Sequence, residues 1–188
     1  MNKIETIEEF YARKVSWIPD NLRNEIGHFN VFKIESHLGG NPRPVPYKRR
    51  DYFKITLVVG NNKILYADKV MEVRKQALVF SNPHIPYQWE SLEKIESGFF
   101  CIFNQHFFYQ YGDLNQYSVF QPQGDHLFEL TDEQVSHTKG IYERMFEEIQ
   151  SDYVHKYDVL RSLVFELLHF AMKMQPSSKF DRQPVNAS

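Results

Sequence analysis

Between residues 51 and 130 the chain alternates short apolar-aromatic runs with turns, the runs falling at 52–59, 63–68, 70–73, 77–81, 98–104 and 126–130. Strands of this length and spacing predict a β-sandwich or barrel. A further strand signal lies upstream at 29–35. The first two runs flank Gly60-Asn61-Asn62, a turn signal that predicts a hairpin between them. Within 52–59, Phe53, Ile55, Leu57 and Val59 share one face, and Tyr52, Lys54 and Thr56 share the other. Hydrophobicity alone sends the first set to the core and the second to water. Segment 37–46 holds two glycines and three prolines and reads as a loop or arm. Residues 4–27 read as short helical pieces broken at Ile18-Pro19.

At residue 131 the period changes. Thr131-Asp132-Glu133-Gln134 has the capping-box form, in which the Thr131 hydroxyl accepts from the N3 amide and Gln134 reaches back. Val135, Thr138, Ile141, Tyr142, Met145, Phe146 and Ile149 then recur at helical spacing, giving one buried stripe. A second helix is predicted over about 156–174. Its polar residues Asp158, Ser162, Glu166, His169 and Lys173 fall in one narrow sector, and most of the remaining circumference is apolar. A helix so broadly apolar needs cover on more than one side. A second copy of the chain is the expected cover for Leu160, Leu163, Val164, Leu167 and Ala171, and the alternative is the chain's own barrel. Beyond Met174 periodicity stops, and 175–188 reads as a linker or disordered tail.

The composition limits what such a chain does. The net charge is −2 over 188 residues, which argues against a nucleic-acid surface spread over the whole chain. The 16 Phe and 11 Tyr favour strands and an aromatic-lined interior. A lone Cys101 within an apolar run reads as a small buried hydrophobe. No secretory signal and no membrane-spanning stretch is evident, so a cytoplasmic protein is expected, with no membrane partner. No G-x-S-x-G, no phosphate-binding glycine loop and no histidine pair at metal-ligand spacing occurs, and no helix-turn-helix with a basic face is visible.

Two stretches, Lys48-Arg49-Arg50-Asp51-Tyr52-Phe53-Lys54-Ile55 and Lys75-Gln76-Ala77-Leu78-Val79-Phe80-Ser81-Asn82-Pro83-His84, resemble the two motifs of a cupin. Where a metal cupin carries His, His and Glu, this chain carries Lys48, Arg50 and Lys54, and the later His position falls at or near Tyr87. Cations in those places repel a divalent ion, so neither a metal nor another cofactor is expected, and no catalytic residue is assigned. The resemblance points Arg50, Tyr52 and Lys54 into the barrel, against the hydrophobic reading of the same strand. Together with the aromatics Tyr66, Tyr87, Trp89 and Phe99 they form the expected ligand-binding set, suited to an anionic or hydroxylated small molecule.

Gly98-Phe99-Phe100-Cys101-Ile102-Phe103 and Tyr157-Asp158-Val159-Leu160-Arg161 follow in the order seen in the N-terminal half of AraC-type transcription regulators, which the chain resembles over about 28–174. That resemblance implies a mainly β fold with α: a cupin-like double-stranded β-helix (jelly-roll barrel) and then a C-terminal antiparallel helical hairpin. It implies one effector-binding and dimerisation domain over 1–174, composed of a helical arm (1–27), the barrel (28–130) and the hairpin (131–174). It further implies a non-catalytic role, homodimerisation through the C-terminal helices, and DNA contact only through a helix-turn-helix domain absent from these 188 residues. The alternative is a metal-dependent cupin enzyme acting on a small sugar or acid.

Overall fold

The strand partners nest one inside another. The computed structural model describes residues 4–14, 28–35, 45–48, 51–66, 69–91 and 97–174. They contain helix α1 (Ile7–Lys14) and strands β1 (Phe29–Glu35), β2 (Val45–Lys48), β3 (Phe53–Val59), β4 (Asn62–Tyr66), β5 (Lys69–Val73), β6 (Gln76–Ser81), β7 (Tyr87–Ser91), β8 (Ser97–Phe103) and β9 (Leu127–Glu129). Helices α2 (Asp132–Ile149) and α3 (Lys156–Lys173) follow. One sheet has the order β1-β8-β3-β6-β9, the other β2-β7-β4-β5, with antiparallel pairing throughout. Thus β1 pairs with β8, β2 with β7, β3 with β6 and β4 with β5. One long hairpin has been rolled into two facing sheets, which is the jelly roll, the double-stranded β-helix expected from the sequence.

Two local readings change, and two stretches fold for which the pattern gave no reading. Gly60-Asn61-Asn62 does not close a hairpin, because β3 and β4 lie in different sheets and the true local hairpin is β4–β5. The turn is a corner between sheets, and Gly60 supplies its φ of 133°. Part of the stretch read as a loop carries β2, and Tyr87–Ser91 is a full strand. The segment between β8 and β9 folds as short 3-10 pieces at Gln105–Tyr111, Leu114–Gln116 and Ser118–Phe120. Residues 15–27 of the expected helical arm, 36–44, and the tail 175–188 lie outside the described residues.

Both faces of the five-stranded sheet are covered, which explains the nearly unbroken apolar run of β3. Phe53, Ile55 and Leu57 of β3 face outward with Leu78, Phe80, Phe99, Cys101 and Phe103, and the helical hairpin and the 3-10 segment cover them. The opposite face meets the second sheet through Val58, Ala77 and Val79 against Ile64, Tyr66, Val73, Tyr87 and Trp89. Close approach of β8 to β3 requires Gly98, where a Cβ would fall 2.3 Å from the Leu57 carbonyl oxygen.

The hairpin starts on the capping box read from the sequence: Gln134 N donates to Thr131 Oγ1 (3.2 Å), and Thr131 N donates to Gln134 Oε1 (2.9 Å). The pairs Arg144–Glu166 (2.9 Å) and His137–Phe170 (rings 4.7 Å apart) join residues rising on α2 with residues falling on α3, so the helices run antiparallel. Arg161 ties α3 to the 3-10 segment, donating to the Phe107 carbonyl with its guanidinium 4.4 Å from the Phe107 ring.

The apolar circumference of α3 is used within one chain. Leu160, Leu163, Val164, Leu167 and Ala171 are all buried in the outer core. These are the five side chains expected at a dimer contact, and the chain's own outer core already covers them. Asp158, Ser162, His169 and Lys173 are the residues of α3 left exposed, in the polar sector read from the sequence.

Candidate functional site

Alternation along β3 sends Tyr52, Lys54 and Thr56 to the inner face, as the cupin resemblance required and against the simple hydrophobic reading. That reading failed because it allowed the sheet only one apolar face. Lys54 is partly buried, with its Nζ 4.6 Å from the Phe100 ring centroid and 5.9 Å from that of Trp89. The ammonium therefore lies between an aromatic ring of each sheet, an arrangement that favours cation–π attraction. Trp89 is held by its indole N–H, which donates to Asn62 Oδ1 at 2.8 Å. Thr56 Oγ1 is buried and has no hydrogen-bond partner among the described residues. A hydroxyl in that state is ready for a ligand or a water.

Helix α1 closes one end of this interior. Thr6 Oγ1 caps it by accepting from Glu9 N (3.1 Å), and Ile7 and Phe10 pack with Tyr52, Ile102, Phe32 and Phe100. The Phe10 ring stands edge-on to Tyr52, Phe32 and Phe100. The Tyr52 hydroxyl donates to the buried carboxylate of Glu5 (3.0 Å), and Asp51 N donates to the Glu5 carbonyl (2.7 Å). Partial burial pushes the Asp51 carboxyl up to about 6, aided by the charges of Glu5 and Glu9, while amides of Asp51 and Ile7 pull the other way.

Of the seven expected ligand residues, the structure places Tyr52, Lys54, Tyr66, Tyr87 and Trp89 on inward-facing positions. Tyr66 is less a ligand group than a fastener: its hydroxyl accepts from Asn82 N (3.0 Å), and burial drives its ionisation far upward. Arg50 lies outside the described residues. Phe99 is a correction. The β8 register puts Gly98, Phe100 and Ile102 inward and Phe99 outward, where it stacks on Tyr142 of α2 (5.6 Å, 16°). Sequence reasoning missed Phe100 and Thr56. The period-2 rule finds Thr56 once Lys54 is set inward, whereas Phe100 follows from its pairing with Thr56, which the structure supplies.

Apart from this interior, an open groove of about 620 Å³ is lined by Asp51, His84, His106, Tyr109 and Asp113 among others. None of the described members of the expected ligand set lines it. Among the described residues no group of three His, Cys, Asp or Glu is placed to hold a metal ion, and no helix is long and apolar enough to cross a membrane. Cys101 is buried and its thiol is pushed strongly upward by desolvation, consistent with a packing role.

No family model matches the chain, and neither does any curated protein. Among solved structures it is similar to ToxT from Vibrio cholerae (13% identity over 78% of this chain and 56% of that one, TM-score 0.43). A second ToxT structure, bound to (E)-4-(8-methylnaphthalen-1-yl)but-3-enoic acid, gives 16% identity over 76% of this chain and 56% of that one, with a TM-score of 0.40. A cupin 2 domain-containing protein from Halorhodospira halophila gives 15% identity over 60% and 63% of the two chains, with a TM-score of 0.31. The chain spans 56% of the length of the ToxT structures it matches. The jelly-roll assignment rests on the strand order itself.

Proposed function

We propose that this chain is the effector-binding module of an AraC-type transcription regulator: a non-catalytic receptor that takes a small anionic or hydroxylated molecule between its sheets. The observation that carries the reading is the Lys54 ammonium, set inside a jelly roll between Phe100 and Trp89 with the unsatisfied Thr56 hydroxyl on the same face. The helical hairpin on the outer face of the same sheet supports it, since a change at β3 has only one layer of protein to cross before reaching α2. Ligand would favour one arrangement of α1, sheet and hairpin, and so act on an attached DNA-binding domain by population shift. Pairing of two copies through the hairpin would use its outward sector, Asp158, Ser162, His169 and Lys173, and not the five apolar positions already covered.

The test is a thermal-shift screen of small carboxylates, phosphates and polyols against the wild-type chain and Lys54→Met. A ligand at a hundredfold its Kd adds about 2.7 kcal/mol, which for a chain of this size raises Tm by roughly 5–10 °C. The expected result is a compound that gives this rise in the wild type and loses it in Lys54→Met. Stoichiometric iron, manganese, nickel or zinc in the purified protein, with no stabilising compound, would overturn the receptor reading in favour of a cupin enzyme.

A further inference from the structure

The ligand site proposed above needs a way to inform the helices, and one buried hydrogen bond joins them directly. The phenol of Tyr142, on α2, donates to the backbone carbonyl of Ile55, on β3, at 2.6 Å, across 87 positions of sequence. Tyr142 is fully buried, with its ring stacked on Phe99 and its hydroxyl beside Cys101. Cys101 is the residue of β8 paired with Ile55. The phenol therefore stands over the junction of β3 and β8, the strands that carry Lys54 and Phe100 on their other face.

Ile55 lies between Lys54 and Thr56. Its side chain faces the helices and theirs face the second sheet. Its carbonyl belongs to the peptide unit that joins it to Thr56. That planar unit ends at the Thr56 Cα, so a displacement of β3 at this point carries the Thr56 side chain on one face and the acceptor of the Tyr142 bond on the other. β3 is the central strand, held by β6 and β8 together, so it shifts with the sheet and does not fray from it. A phenylalanine would stack on Phe99 equally well. The hydroxyl has a cost when buried that only its partner offsets, and the partner here is a strand carbonyl outside its own helix.

We infer that Tyr142 is a positioning residue: its hydroxyl fixes the Lys54–Thr56 stretch of β3 against α2, so that a displacement inside the sandwich is felt in the helical hairpin. This rests on the receptor reading for its purpose, but its test needs no ligand, so the failure of one is distinguishable from the failure of the other. Lys54→Met serves as the internal perturbation, and amide hydrogen exchange across α2 and α3 is the readout. In the wild-type background Lys54→Met should change exchange in the buried half of α2 by about fivefold, the low end of measured site-to-site couplings. In a Tyr142→Phe background that response should vanish.

A purely structural hydroxyl would lower Tm in Tyr142→Phe while leaving the response to Lys54→Met intact, and that result overturns the inference. So does an unchanged α2 in both backgrounds. Should Tyr142→Phe fail to fold, 3-fluorotyrosine at position 142 keeps the bond and reports on it by 19F resonance. A shift of that resonance on Lys54→Met upholds the link, and a fixed resonance refutes it.

Discussion

Leu167→Ala separates a core helix from an interface helix. Leu167 is fully buried in the outer core of its own chain. The change deletes three carbon groups, worth about 0.8 kcal/mol each in transfer, and leaves a cavity whose penalty brings the total to roughly 3–4 kcal/mol. Chemical unfolding followed by circular dichroism, at about 1 µM and about 100 µM chain, measures this loss. For a core residue the loss is the same at both concentrations, and sedimentation shows the association state of the wild type. For an interface residue the hundredfold concentration step itself is worth about 2.7 kcal/mol of apparent stability by mass action. A Leu167→Ala protein that dissociates while keeping its unfolding midpoint, or whose deficit disappears at high concentration, would refute the single-chain burial argued for α3.

His28 predicts a loss of stability in acid. Burial lowers its folded-state value from 6.5 to about 4, so the neutral ring is the folded form and the unfolded chain binds the proton more readily. The stability is intact above pH 6.5 and falls as pH drops toward 4, by about 2 kcal/mol at pH 5. His28→Gln should flatten that slope in urea titrations between pH 7.5 and 5, and an unchanged slope would exclude His28 as its source. Thr131→Ala removes the capping box of α2 and should cost about 1 kcal/mol, with faster exchange confined to the first turn. Gly98→Ala drives a methyl against the Leu57 carbonyl and should lower Tm by several degrees with loss of order at the β3–β8 seam, visible as new exchange at Leu57 and Phe99.

The period of two and the period of 3.6 were both legible. The strand over Phe29–Glu35 and the helices from the Thr131 cap to Lys173 fall where the pattern puts them. Which strands pair was not legible. The Gly60 turn looks the same whether it closes a hairpin or turns a corner, since both need a positive φ, and only the nesting of distant strands decides. The site was half legible for the same reason. Lys54 could be set inward only by resemblance, because an apolar outer face under a helical layer is indistinguishable in sequence from a core face. Phe99 was placed wrongly by one residue, and in a strand one residue is the whole thickness of the sheet.

The nesting of the strands also sets a timetable for folding. The innermost pair, β4 with β5, is separated by a few residues and can zip as soon as it is made. The outermost pair, β1 with β8, waits until some seventy later positions have been synthesised and threaded between them. Until then β1 has an open edge and an apolar flank, so the nascent chain spends longest exposed at its amino-terminal end.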